Sequence, residues 1–496
     1  MKKNRGPSKA RVGTEKASYQ NIEVSPDSNE NFFYLKEILG DSMDVKILYF
    51  RDRPVPFIVC FIEGLVNKSQ IDLSILEPVH RWQQTSPEIE APEFMEQIEV
   101  SSLVHEFKTF GPLINGILKG QVAIFVNSLT IGYAVPLEHF PLRAIDEPES
   151  QTTVRGPREG FVESLQINTT LLRRRISNPA LRFHMVQIGS LTNTSVLIAY
   201  MHNLADQEVL NDLMNRLSTM TTDSVFEGGM IEEMLNENRY SPFPTFHSSE
   251  RPDVVASSLT EGKIAILVEG SPFVLLTPIT FVSFFQAAED IYNQYDLSSA
   301  IRIVRVLAFL ISFSLPALYI AVTTFHQELV PTQLLVSLAA QREGVPFPAF
   351  IETLIMEVIF EILREAGIRM PRPIGSAVSI VGAIVIGESA VAAGLVSPAI
   401  VIVVSLTAIS SFVSPFYAFS GAARILRFVL MVIATTTGIF GMIMFYILLL
   451  THLCSLKSMG KPYFTSPKPL TGDANDTMLR LPFWWKNTKL YKKIKR

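Results

Sequence analysis

The sequence predicts a membrane protein. An N-terminal cytoplasmic α/β region of two related subdomains precedes an α-helical transmembrane domain of about four spans plus an interfacial or re-entrant helical hairpin. Three observations carry this reading. Long runs without a charge crowd the last third of the chain, at 306–325, 389–423 and 428–451. A bilayer-spanning helix needs about 20 apolar residues, and these runs are long enough. The first 300 residues carry scattered charges instead, and they contain a strand pattern that occurs twice.

Taken in order, residues 1–30 read as a disordered basic tail with few large apolar residues. No apolar stretch follows Met1-Lys2-Lys3-Asn4-Arg5, so no signal peptide is expected there. Residues 31–145 and 146–300 read as α/β subdomains. Lys119-Gly120-Gln121-Val122-Ala123-Ile124-Phe125-Val126 matches Glu261-Gly262-Lys263-Ile264-Ala265-Ile266-Leu267-Val268 in pattern. Phe57–Ile62 matches Val196–Met201 in the same way, and the offsets, 142 and 139, nearly agree. Each run reads as a buried strand. Two copies of one unit account for the match; convergent strand composition is the alternative.

Residues 301–455 form the predicted transmembrane domain, with spans near 306–325, 374–396, 398–416 and 427–452. Gly394-Leu395-Val396-Ser397-Pro398 divides the long middle run, because proline cannot continue a helix from the preceding turn. Segment 331–372 is the hairpin. Its second helix, about 350–366, places Glu357, Glu361 and Arg364 on one face, expected at an aqueous boundary or against other subunits, in a coupling role. Residues 456–496 read as a basic cytoplasmic tail. Basic ends favour the cytoplasm and an even number of spans, although Arg369, Arg372, Arg424 and Arg427 then face outward; a five-span arrangement is the alternative.

Lys and Arg number 43 against 47 Asp and Glu, a balance that argues against a nucleic-acid binder. Cys60 and Cys454 are too few for a disulfide framework and give no zinc spacing. No phosphate loop, zincin motif or nucleophile elbow is present, so no enzyme, catalytic residue, metal or cofactor is expected. His326 and Glu328 read as capping or interfacial groups at a membrane edge. Arg173-Arg174-Arg175 reads as a solvated face, with a subunit or lipid contact as the alternative.

Several segments are together distinctive: Val154-Arg155-Gly156-Pro157-Arg158-Glu159-Gly160-Phe161, Tyr240-Ser241-Pro242-Phe243-Pro244, Ser271-Pro272-Phe273-Val274-Leu275-Leu276, and Arg342-Glu343-Gly344-Val345-Pro346-Phe347-Pro348 continuing to Pro373-Ile374-Gly375. On these, residues 31 to about 485 resemble the A subunits of GerA-type nutrient germination receptors of spore-forming bacteria. The resemblance implies a multi-pass subunit of the spore inner membrane, with its N-terminal region facing the spore core. It implies a permease-like B subunit and a lipoprotein C subunit as partners, and a homo-oligomer that forms a nutrient-gated ion channel. A secondary transporter, a non-conducting scaffold and an A-like paralogue are the alternatives.

Within 374–396 the sequence suggests how a pore would be lined. Glu388 is the one charged residue there, and a carboxylate at mid-membrane should face a bundle interior or a water path. Helical periodicity puts Ile384, Val381 and Ala377 on its face. Rings of the apolar residues would gate by dewetting, and the carboxylates would favour cations. Gly375, Gly382, Gly387 and Gly394 are expected to allow close helix packing. Lipids and ions are therefore further expected partners.

Overall fold

The computed structural model describes residues 19–85, 104–139, 147–148, 150–370, 382, 387–464, 479–480, 482 and 484. These fall into two units, Met1–Glu237 with Phe246–Ile279, and Asn238–Thr245 with Thr280–Arg496.

Unit 1 holds two five-stranded antiparallel sheets. The first is built from β1 (Val45–Phe50), β2 (Phe57–Ile62), β3 (His105–Phe107), β4 (Gln121–Val126) and β5 (Gly132–Pro136), in the spatial order β1-β2-β4-β5-β3. The second is built from β6 (Leu181–Ile188), β7 (Thr194–Met201), β8 (His247–Ser249), β9 (Ile264–Val268) and β10 (Val274–Thr277), in the order β6-β7-β9-β10-β8. The orders are the same, and the Val122 and Ile264 strands occupy the same place in each. Strand β2 is buried at every position because both of its faces are covered. Ile58, Cys60 and Ile62 join one core and Phe57, Val59 and Phe61 the other, as a period of two requires.

The helices repeat as well. In sheet 1, α1 (Ser28–Leu39) precedes β1, α2 (Glu77–Thr85) follows β2, and α3 (Phe110–Ile117) enters β4. In sheet 2, α4 (Leu165–Arg175) precedes β6, α5 (Gln207–Ser218) and α6 (Gly228–Leu235) follow β7, and α7 (Pro252–Thr260) enters β9. Two small devices occur in both halves. Gly120 and Gly262 take φ values of 95° and 91°, and an added Cβ would lie 2.9 Å from Leu65 O and 2.7 Å from Leu204 O. A side chain there would be strained in backbone and blocked by a carbonyl. The second device is a buried asparagine in the first turn or so of the first helix. Asn31 Nδ2–H donates to Ser25 O and its Oδ1 accepts from Ser25 N–H. Asn168 makes the same pair of bonds to Val162.

The two halves of unit 1 are joined by a buried ion pair. Arg173 Nε donates to Asp44 Oδ2 at 2.7 Å and its Nη2 donates to Asp44 Oδ1 at 3.1 Å. Ser42 Oγ accepts from Arg173 Nη2 and from Phe183 N–H, while donating to Asp44 Oδ1. The guanidinium also lies over the Phe183 ring. Arg173 is 1 % exposed, which corrects the expectation of a solvated face. Only Arg174 and Arg175 reach the surface of this turn, where both pair with Glu159.

The tail boundary also differs from expectation. Residues 19–30 are packed, not disordered: Tyr19 and Val24 join the core of sheet 1, Val24 N–H donates to Lys108 O, and Phe110 N–H donates to Ile22 O. Three apolar residues suffice because they cover a core that already exists. Residues 1–18 lie outside the described residues.

His247, on β8, gives unit 1 an acid-sensitive point. Burial, and then the nearby Lys263 charge, lowers its pKa from 6.5 to about 3. Below pH 6.5 the unfolded chain therefore takes up a proton that the folded chain refuses. We expect unit 1 to lose up to about 1.4 kcal/mol per pH unit through this group as the pH falls below 6.5 toward 3. Urea midpoints followed from pH 7 to pH 5 check this. His247→Asn should flatten the slope, and an unchanged slope would assign it to other groups.

Unit 2 is helical. Its helices are α8 (Tyr295–Thr324), α9 (Thr332–Arg342), α10 (Ala349–Arg369), α11 (Pro398–Phe412) and α12 (Tyr417–Ser455). Helices α8 and α12, at 30 and 39 residues, are long and apolar enough to cross a membrane. The expected span at 398–416 is a 15-residue helix ending at Phe412, shorter than a straight span requires. Most of 374–396 lies outside the described residues. Helices α9 and α10 fall within segment 331–372, and no residue of α9 is buried. Helix α12 breaks at Gly438, whose φ of 62° and ψ of −145° are not helical; the His326 ring packs at that point.

The boundary expected at residue 300 falls at Ile279 instead. The reason is an aromatic cluster: Phe281, Phe284 and Phe285 stack with Phe309 of α8 and Phe419 of α12, and Phe243 joins them. Part of the C-terminal tail returns to unit 2 as well. Tyr463 is fully buried, and Arg480 donates to Ile291 O and Asn293 O.

Candidate functional site

One group of buried charges in unit 2 gathers on α10. Glu357 and Glu361 lie one turn apart on this helix, and Arg424 and Arg427 lie three residues apart on α12. Arg427 Nη1 donates to Glu357 Oε2, and both side chains are fully buried. Arg424 Nη1 reaches Glu361 Oε2 at 3.4 Å, and Arg427 Nη2 lies 3.5 Å from Glu361 Oε1. Arg364 Nη1 lies 3.5 Å from Glu361 Oε1, and its Nη2 donates to Ser411 Oγ on α11. The rings of Phe360 and Phe412 flank the Arg364 guanidinium at 5.3 and 4.9 Å.

Glu357, Glu361 and Arg364 thus meet partners within this chain. Glu357 does not reach an aqueous boundary, since Arg427 meets it in the interior. Sequence reasoning used Arg424 and Arg427 only as markers of orientation and missed them as partners. The available signal was two isolated arginines three apart in an apolar helix, facing two acids four apart in another. Two further buried acids were missed. Glu352 is fully buried, accepts from Ser397 N–H, and has Arg342 Nε at 3.4 Å. Asp290 accepts from Arg302 and Arg305 at the entrance to α8.

Of the expected pore-lining residues, Ala377, Val381 and Ile384 lie outside the described residues, as does Gly375. Glu388 is exposed on the helical segment 387–392, and Ala392, one turn on, is exposed too. Ala390 and Val391 turn the other way, onto the core of Met356, Val396, Ile400 and Val404. Gly382 leaves room for Leu363, whose Cδ2 would lie 2.8 Å from an added Cβ. Gly387 is buried near Val401, and Gly394, at φ 64°, lies near Gly344 O. Among the described residues no group of three His, Cys, Asp or Glu could hold a metal.

Comparison with known proteins places the chain. The profile of the family described as "Bacillus/Clostridium GerA spore germination protein" matches residues 33–491. Spore germination protein KA of Bacillus subtilis (strain 168) is 43% identical over 94% of this chain and 87% of its own. The uncharacterized membrane protein YfkQ of the same strain is 41% identical over 95% and 92%. Spore germination protein GerLA of Bacillus cereus is 37% identical over 86% of each. The crystal structure of the N-terminal domain of the A subunit of the Bacillus megaterium spore germinant receptor GerK3 matches with a TM-score of 0.41 and 28% identity, over 52% of this chain and 97% of that one. With a profile match from residue 33 to residue 491, the chain belongs to the Bacillus/Clostridium GerA spore germination protein family.

Proposed function

We propose that this chain is the A subunit of a nutrient germinant receptor in the spore inner membrane, and that copies of it assemble into a nutrient-gated cation channel. It is not an enzyme. Unit 1 faces the spore core, and a permease-like B subunit and a lipoprotein C subunit complete the receptor. The proposed membrane part has four spans: α8, the segment near 374–396, the segment near 398–416 that contains α11, and α12. The observation that carries the channel reading is Glu388. It is exposed, beside Ala392, on the face of 387–392 turned away from the apolar core, and it has no ion pair among the described residues. A carboxylate so placed in a spanning segment favours a water-filled path.

Planar-bilayer recording of the reconstituted chain tests this. Ile384→Ala should pass current without nutrient by thinning the dry constriction. Glu388→Gln should lower cation preference by about tenfold, the worth of ~1.4 kcal/mol at the carboxylate ring. Substrate flux without channel steps would favour a transporter. An unaltered closed state in the first variant and unaltered selectivity in the second would remove this segment from the pore. The alternative within the family is an A-like paralogue of the spore membrane that does not serve as a nutrient receptor subunit. A deletion strain that still germinates in every nutrient would select it.

A further inference from the structure

Helix α12 doubles back on itself. Phe419 near its start and His452 near its end both lie against the Phe243 ring, at centroid distances of 6.3 and 6.5 Å. The two residues are 33 apart in sequence. A continuous helix rises 1.5 Å per residue and would hold them about 50 Å from each other. Phe309 and Phe313, one turn apart on α8, show the same return: the first stacks on Phe419 and the second meets Tyr446. The reversal is at Gly438, whose φ of 62° an L side chain rarely adopts. Beyond it Gly441 packs on the arm before it, where an added Cβ would lie 2.8 Å from Ile433 Cγ2. The arms, 417–437 and 439–455, are about 31 and 25 Å long, close to the roughly 30 Å of a bilayer's hydrocarbon core.

Side-chain pairs fix the direction of the other helices. Phe419 meets Phe309 and Gly438 meets His326, so the first arm of α12 runs parallel to α8. Glu361 pairs with Arg424 and Glu357 with Arg427, so α10 runs against both. Ser397 meets Glu352 and Ser411 meets Arg364, so α11 runs the same way as α10. Two successive helices of one direction require the chain between them to climb back. Gly382 against Leu363, and then Ala390 and Val391 on the core of Met356, mark that climb.

Helix α10 itself is built to cross. Glu352, Glu357 and Glu361 meet arginines inside the bundle, while Ile355, Val358 and Ile362 form an exposed stripe. Paired charges within and apolar residues without are the reverse of a surface helix, and they suit lipid.

We propose that unit 2 crosses the membrane six times, through α8, α10, the segment near 374–396, the segment near 398–416, and each arm of α12. This rests on unit 2 being the membrane part, as read above, and it replaces the count of four, which took α12 as one crossing and left out α10. Both ends of unit 2 then lie on the side where α8 begins. Arg369, Arg372, Arg424 and Arg427 lie toward that side too, whereas four or five crossings separate them from the basic tail. Residues 325–348, at the opposite end, hold Arg342 as their one Lys or Arg, and it faces Glu352.

A membrane-impermeant maleimide, applied to right-side-out and to inverted vesicles that carry the full chain, tests this. Cys454 is exposed and Cys60 buried, so the unsubstituted chain reports its own C-terminal end. Arg369→Cys and Thr437→Cys, each combined with Cys454→Ser, report the end of α10 and the tip of α12; both positions are exposed. Six crossings label positions 454 and 369 in one preparation and position 437 in the other. Position 369 labelled opposite 454 would overturn the crossing of α10. Position 437 labelled in neither, yet reactive after detergent is added, would overturn the two arms of α12. Thr436→Cys, also exposed, serves if the variant at 437 misfolds. Labelling of all three positions in both preparations would sink the membrane reading of unit 2 itself. Current is not measured, so failure of the channel reading leaves these outcomes unchanged.

Discussion

Asp44→Ala should destabilise unit 1 by about 3–5 kcal/mol, because it strands Arg173 inside the protein. Arg173 is 1 % exposed and Asp44 5 %, so water cannot replace the lost partner without opening the joint. Ser42 cannot compensate, since its Oγ accepts from both Arg173 and Phe183 N–H and its proton is directed at Asp44. Asp44→Asn should cost nearly as much, because the charge remains unpaired while the shape is kept. Replacing both partners, as Asp44→Val with Arg173→Met, should recover most of the loss, since an apolar pair leaves no orphan. Urea unfolding of these variants, of Asp44→Val and Arg173→Met alone, and of the unsubstituted protein, followed in unit 1, gives the result. Two single losses that simply add in the double variant would mean the pair is not one unit.

That joint was not legible in the sequence, and the reason is physical. A run of three arginines looks solvated because charge prefers water, and only a partner 129 residues away reverses that preference. Local pattern carries no information about such a partner. The strands at 121–126 and 264–268 were legible, because a continuous apolar run entered through a glycine has few other solutions. The duplication could be read further than the strands. Aligning the halves places Asn31 opposite Asn168, each bonded to backbone six residues upstream, yet a lone polar residue in a helix is easily taken for surface. The helix at 349–369 and its acids were visible from periodicity. Their partners were not, because the orientation rule assigns arginines to a side of the membrane and says nothing of what they touch. The unit boundary at Ile279 was hidden because Phe281–Phe285 looks like the end of an α/β half, whereas its rings belong to the aromatic cluster of α8 and α12.

Arg427→Leu should destabilise unit 2 by about 3–5 kcal/mol, and here the surroundings predict which rescue works. The substitution leaves Glu357, fully buried, without the guanidinium that its Oε2 accepts from. Adding Glu357→Leu should restore most of the stability, as the two leucines fill apolar space and leave nothing ionised behind. Exchanging the charges should fail. A glutamate at 427 would face Glu361, whose Oε1 now lies 3.5 Å from Arg427 Nη2. An arginine at 357 would enter a cluster that keeps Arg364 and Arg424. The pair is therefore directional, fixed by the charges around it and not by its own attraction alone. Thermal unfolding of Arg427→Leu, the double leucine variant and the exchanged variant in one detergent separates the possibilities. An exchanged variant as stable as the double leucine would show that Glu361 and the two outer arginines do not act on this pair.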